Sequence, residues 1–248
     1  MLALWHGHPG RTRLKRYGRA SNVPGVGLTL IFDADDTLWE NNVVYERVAE
    51  DFFGWLAHPD EAHARAVREE IERENVASHG YGTVVFLRTL HDCVERLRDR
   101  PLTGAERAEI DGLAEALAWR QVELTAGVEA VLTELGSRHE LRMLTKGRPA
   151  EQQAKIDVSG LAPHFTSTHI VAEKDPDTYR GLLADLALAP SSTWMIGNSP
   201  RSDIVAARAA GLNAVFVPHP HTWALEHAEF DDPGVLTLGA LTELTRHF

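Results

Sequence analysis

The pattern of apolar and polar positions changes period twice along the chain. Gly27 to Phe32 is a short apolar and β-branched run that stops at a group of aspartates, as a buried parallel strand does. From about residue 43 to 125 the spacing becomes helical. Val44, Val48, Phe52 and Leu56 recur every four residues, Ile110, Leu113 and Leu117 every three or four, and charged residues fill the gaps. This predicts an insertion of four or five helices, interrupted at His79-Gly80-Tyr81-Gly82 and at Pro101.

After Gly127 the periods alternate. A helix carrying Val128, Val131, Leu132 and Leu135 precedes a strand at Glu140 to Leu144. A helix from near Pro149, a strand near Thr168 to Val171 and a helix capped by Asp175 with Pro176 at its first position follow. Strands at Thr193 to Ile196 and Ala214 to Val217 flank a helix from Asp203 that Gly211 ends. Such alternation predicts an α/β fold, a doubly wound parallel sheet of Rossmann-like type with helices on both faces and ligands at the carboxyl ends of its strands. Residues 26–42 and 126–248 would form this core, and residues 43–125 an inserted α-helical lobe above it. Residues 1–25 carry neither period and read as a flexible basic extension.

The 248 residues suit one large domain or a core with one insertion. Of the 25 basic residues, Arg11, Arg13, Lys15, Arg16 and Arg19 fall in residues 1–30, where no acid lies, so the body holds the other 20 against all 36 acids. A body this acidic repels a phosphate backbone, which argues against nucleic acid as a partner. Cys93 is the only cysteine, so no intrachain disulfide forms and a reducing compartment suits the chain. No apolar run approaches the roughly 20 residues that span a bilayer, and the N-terminus lacks the apolar centre of a secretory signal. A cytoplasmic protein with no membrane partner is expected. The sequence carries no signal for oligomeric state.

Four polar clusters follow four of the strands, and the doubly wound topology brings such ends together. Asp33 and Asp35 lie two apart after the first strand, a spacing that turns both carboxylates toward one side. One can attack an electrophile while the other gives and takes a proton; the same residues also suit a turn or N-cap. Thr145-Lys146-Gly147 sets a hydroxyl beside backbone N–H groups, as a phosphate oxygen requires, although a lone threonine there is also a common cap. Lys174 can neutralise charge between strand ends or lie solvated; Lys155, the rival cation, is expected on an exposed helix face. Asn198 and Asp203, in Gly197-Asn-Ser-Pro-Arg-Ser-Asp203, offer oxygens to a hard cation such as Mg2+ or sit at a helix N-terminus.

Asp33-Ala-Asp-Asp-Thr37, Thr145, Lys174 and Gly197 to Asp203 together resemble the four ordered motifs of the haloacid dehalogenase superfamily. The insertion after the first motif resembles its type-1 helical cap, and the match covers roughly residues 27 to 220. The resemblance implies the phosphatase branch: a Mg2+-dependent phosphomonoester hydrolase of a small phosphorylated metabolite, acting through an aspartyl-phosphate. It implies Asp33 as nucleophile and Asp35 as general acid, then base, with Thr145, Lys146 and Lys174 on the phosphoryl group. Mg2+ would be held by Asp33, the backbone carbonyl of Asp35, and Asn198 or Asp203. Dehalogenases of the family normally lack an acid at the position of Asp35, because a halide leaves without a proton. Two departures stand out. Asn198 replaces the usual aspartate after Gly197 and brings an oxygen without charge, and Asp36 replaces a frequent glycine, being a residue type that tolerates a left-handed backbone. A phosphomutase, a 2-haloacid dehalogenase and a non-catalytic phospholigand- or partner-binding protein are the alternatives.

Asn42, His79 and Tyr81 are candidates for contacting the rest of the substrate, with Glu40 and Asn41 beside them. His6, His8, His219 and His221 have pairwise metal-like spacing but no third ligand nearby in sequence, and read as loop histidines. Phe52, Phe53, Trp55 and Trp119 read as packing. Arg201 is left between a phosphate and a surface acid.

Overall fold

The computed structural model describes residues 15–16, 27–118 and 120–248. The rest of the basic extension, with His6 and His8, and Trp119 lie outside the described residues. A seven-stranded sheet has the order β1-β4-β3-β2-β5-β6-β7, with β1 (Lys15–Arg16), β2 (Thr29–Phe32), β3 (Glu140–Lys146), β4 (Ser167–Val171), β5 (Thr193–Gly197), β6 (Asn213–Phe216) and β7 (Val235–Thr237). All pairings are parallel except that of β1 with β4. Leu30, Ile31 and Phe32 have no exposed surface, because β2 lies at the centre with the sheet covered on both sides. The chain winds from β2 through β3 to β4 on one side, then returns to build β5, β6 and β7 on the other. Phe32 pairs with both Met143 of β3 and Ile196 of β5, so the residues after these strands emerge together at the switch point.

Helices α1 (Asn42–Leu56), α2 (Glu61–His79), α3 (Thr83–Arg98) and α4 (Gly104–Leu113), with a 3-10 turn at Ala114–Ala118, follow the first strand end. They bury their own apolar cluster, with Phe52, Ile71, Leu90, Cys93 and Ile110 at its centre, separate from the two clusters on the faces of the sheet. The two connections to the sheet run side by side: Glu40 N–H donates to Glu123 O at 2.8 Å and Thr125 N–H to Leu38 O at 3.0 Å. Helices α5 (Val128–Gly136) and α6 (Pro149–Ser159) flank β3, while α7 (Pro176–Asp185) and α8 (Ala206–Ala209) supply Tyr179, Leu183 and Ala207 to the opposite face. Asp175 caps α7 by accepting from Thr178 N–H at 2.7 Å.

Two local expectations are corrected. Strand β3 runs to Lys146 rather than Leu144, because Thr145 and Lys146 pair with Ile170 and Val171 of β4. The helix expected from Asp203 begins earlier, as a π-helical turn at Pro200–Val205 that leads into α8. Strand β7 had no expectation and β1 falls within residues 1–25, read as a flexible extension: three and two residues at the sheet edges carry too little apolar pattern to register.

His169 of β4 is buried, with Nε2 2.8 Å from Ser167 Oγ. Burial, helped by nearby Arg142, holds its imidazole down to about 4 against an ordinary 6.5. Between these values the unfolded chain binds a proton that the native chain refuses, so stability falls as pH drops from 6.5 through 4, by up to about 3 kcal/mol. His169→Gln should flatten this acid slope. Urea unfolding at about pH 7, 5.5 and 4.5 checks it, and identical slopes for both proteins would speak against the assignment.

Candidate active site

Asp33 leaves β2 with its N–H bonded to Ile196 O of β5 at 2.9 Å, which fixes its direction at the switch point. Lys174 comes from the loop between β4 and α7 and reaches Asp33 Oδ1 at 2.5 Å and Asp203 Oδ1 at 2.8 Å. All three are buried. Asp203 is turned inward by the π-helical turn, and its Oδ2 accepts Ser199 N–H at 3.0 Å. Only glycine fits at 197, since a Cβ there would lie 2.2 Å from Asp203 Oδ2 and 2.8 Å from its Cβ. Burial and then the Asp203 charge push the Asp33 carboxyl up, outweighing Lys174. Burial alone would lower the Lys174 ammonium, but Asp203 and Asp33 more than reverse this, and it stays charged.

Asp35 lines the same cavity. Its Oδ1 accepts from Trp39 Nε1 at 2.8 Å, its Oδ2 from Gln152 Nε2 at 3.0 Å, and both from Lys155 Nζ at 3.0–3.1 Å. Lys155 is therefore not on an exposed face: it is 1% exposed and also donates to Asn41 Oδ1 at 2.6 Å. The expectation failed because its partners lie more than a hundred residues away in the chain. Buried Thr145 donates to Gln152 Oε1 at 3.1 Å. Asp36 takes the left-handed backbone (φ 57°), and its Oδ1 accepts the N–H groups of Asn41 and Asn42, both at 2.9 Å, at the entry to α1. Burial pushes its carboxyl up to about 6 against these two donors.

Lys146 lines the cavity, but its ammonium is engaged elsewhere. It donates to Glu173 Oε1 at 3.1 Å, to Ser202 Oγ at 2.9 Å and to Glu226, and lies 4.4 Å from the centre of the Tyr81 ring. With two carboxylates against one ammonium it has no uncommitted charge for a phosphate. Glu226 also accepts from Ser199 and Ser202; burial alone would raise its carboxyl, but Lys146 and these hydroxyls bring it below the ordinary range. Asn198 Oδ1 accepts Thr37 Oγ1 at 3.1 Å, and its Nδ2 donates to Thr222 Oγ1 at 3.1 Å.

From the helical lobe, Tyr81 donates to Glu173 and packs edge-on against Trp223, 5.8 Å between ring centres. Asn42 Nδ2 donates to His221 O at 2.6 Å. His79 is exposed at the end of α2 and does not line the cavity, against expectation, because α2 turns its last residue outward. His221 pairs with Glu46 at 2.6 Å. His219 meets Glu40 at 3.3 Å and Asp36 at 3.9 Å, partners the sequence alone did not reveal. These three carry possible ligand atoms within 4.8 Å of one another, apart from the Asp33, Asn198 and Asp203 set. Exposed Arg201 donates to Leu225 O at 3.4 Å.

The cavity between lobe and sheet encloses about 900 Å³, with Asp33, Asp35, Thr145, Lys174, Asn198 and Asp203 on its sheet side. Asp33, Asn198 and Asp203 offer only oxygens as ligand atoms, which suits a hard divalent cation. Among the described residues Lys174 is the one cation that Asp33 and Asp203 share, so when both are ionised a divalent cation would balance the charge. The residues thus fit Mg2+.

A family model for haloacid dehalogenase-like hydrolase matches residues 28–211. A phosphoserine phosphatase of Thermus thermophilus is 36% identical over 104 residues, 40% of this chain and 42% of that protein. The match thus spans less than half of that relative's length. A haloacid dehalogenase-like family hydrolase from Xanthomonas campestris superimposes with a TM-score of 0.79 at 26% identity, over 94% of this chain and 95% of that one. The L-2-haloacid dehalogenase of Xanthobacter autotrophicus shares the fold with a TM-score of 0.58 at 18% identity, over 88% and 96% of the two chains.

Proposed function

Because this chain belongs to the haloacid dehalogenase-like hydrolases, we propose that it hydrolyses phosphomonoesters of a small metabolite, with Mg2+ and through an aspartyl-phosphate. The carrying observation is that Asp33, ion-paired to buried Lys174, shares one cavity with a second acid, Asp35. The phosphoserine phosphatase relative supports the same branch.

In this reading Asp33 attacks phosphorus while Asp35 gives its proton to the departing ester oxygen. Asp35 then takes a proton from the water that cleaves the aspartyl-phosphate, returning both acids to their starting state. Two unit anions about 4 Å apart repel by roughly 4 kcal/mol at an effective dielectric near 20, so the approach needs cations. Lys174 supplies one, and Thr145 orients a phosphoryl oxygen. Asp33, the carbonyl oxygen of Asp35, Asn198 and Asp203 would hold Mg2+, which when bound neutralises phosphoryl charge. The helical lobe over residues 43–125 serves as a cap that excludes water, with Tyr81 and Asn42 facing the organic part of the substrate. Among the described residues no helix is long and apolar enough to cross a membrane. Buried, unpaired Cys93 accords with the cytoplasmic setting of this reading.

The test is phosphate release from a generic aryl phosphate. Turnover is expected with Mg2+, a fall of about 100-fold or more with a chelator, and recovery when Mg2+ is restored. Chloride release from a 2-chloroacid without phosphatase activity would point to a dehalogenase, and binding without turnover across a phosphate panel to a non-enzyme.

A further inference from the structure

Buried side chains of helix α6 connect the phosphate position to the acid–base position. Thr145 Oγ1 has one proton, and it goes to Gln152 Oε1 at 3.1 Å. The amide at the other end of that side chain donates through Nε2 to Asp35 Oδ2 at 3.0 Å. One turn along the same helix, Lys155 Nζ grips both oxygens of Asp35 and Asn41 Oδ1. With Trp39 Nε1, Asp35 accepts four hydrogen bonds and is turned to the protein rather than to a bound ester. Thr145, Gln152 and Lys155 are each no more than 4% exposed, so no water stands in readily for a lost partner.

Resting on the phosphatase reading above, we propose that Gln152 and Lys155 are positioning residues that park Asp35 and release it when a phosphoryl group claims the hydroxyl of Thr145. A phosphoryl oxygen that accepts the Thr145 proton strips Gln152 Oε1 of its donor. An amide acceptor left bare in a buried site turns to find another, and that turn withdraws Nε2 from Asp35. One of four restraints is then gone, and the carboxylate can rotate toward the ester, take the proton that a monoanionic phosphate ester carries and pass it to the departing oxygen. Lys155 stays as the pivot, keeping the group within reach. The occupied Thr145 thereby signals to the acid before the ester bond breaks.

Substrates then differ by leaving group. An alkoxide needs the proton of Asp35, whereas 4-nitrophenolate departs without it. In Gln152→Met and Lys155→Met, the single-turnover rate of alcohol release from an alkyl phosphate should fall at least about 30-fold while that of 4-nitrophenolate release from 4-nitrophenyl phosphate falls less than about 3-fold, a readout that precedes the water step in which Asp35 serves both esters. Lys155→Arg, which keeps the charge and the donors, should recover part of the alkyl phosphate rate. It also serves if Lys155→Met fails to fold. Equal losses on both esters, or no loss on either, would overturn the inference while leaving the phosphatase reading in place. A wild-type protein that hydrolyses neither ester would overturn both.

Discussion

Asp33→Asn is expected to remove phosphate release by about 10⁴-fold or more while leaving the protein folded. Asparagine keeps the shape and one acceptor for Lys174 but cannot form the acyl phosphate. Its effect on stability has the opposite sign. Burial and Asp203 raise the Asp33 carboxyl from 3.8 to about 8, so in this window the native chain holds a proton that the unfolded chain releases. Stability contributed by that proton is present at low pH and fades as pH rises from about 4 through 8. The asparagine variant escapes this loss. In chelator its melting temperature should match the wild type near pH 4 and exceed it near pH 8. Loss of activity accompanied by gain of stability separates a functional aspartate from a structural one.

Lys174→Met should do the reverse and damage both. Lys174 Nζ stands between Asp33 and Asp203 at 2.5 and 2.8 Å, and the lysine is only 4% exposed. Without it two carboxylates face each other in a buried site with no cation between them, a change that typically costs about 3–5 kcal/mol. The deficit should shrink as pH falls and one carboxyl takes a proton. Adding Asp33→Asn to Lys174→Met should restore much of the stability and none of the activity, a non-additivity that urea unfolding measures directly. Additive destabilisation would show that the three groups do not form one electrostatic unit.

The parts of this site that were legible in the sequence share a physical reason. Asp33, Thr145, Lys174 and Asp203 lie at or just beyond the ends of buried strands, where an abrupt change from apolar to polar residues is the mark of a sheet's carboxyl edge. Asp175 and Pro176 announced α7 through local capping chemistry alone. What failed was polar burial inside helices. Helix α6 buries Gln152, Lys155, Ile156 and Ser159, a stripe whose polar members look like a solvated face when only hydropathy is read. The ion pairs that consume Lys146 come from Glu173 and from Glu226, the latter 80 positions away, and no local pattern announces them. His219 reads as a loop histidine in the sequence for the same reason, since Asp36 and Glu40 reach it only through the fold. Strand ends are written locally, whereas charge balance is written by tertiary contacts.

The most direct measurement is to quench the Mg2+-loaded protein in acid during steady turnover of a phosphate ester and map phosphorylated peptides by mass spectrometry. A phosphoryl group on the peptide containing Asp33, absent in Asp33→Asn, is the predicted result. Continued phosphate release with no adduct at Asp33, or with the adduct on another residue, would contradict the account.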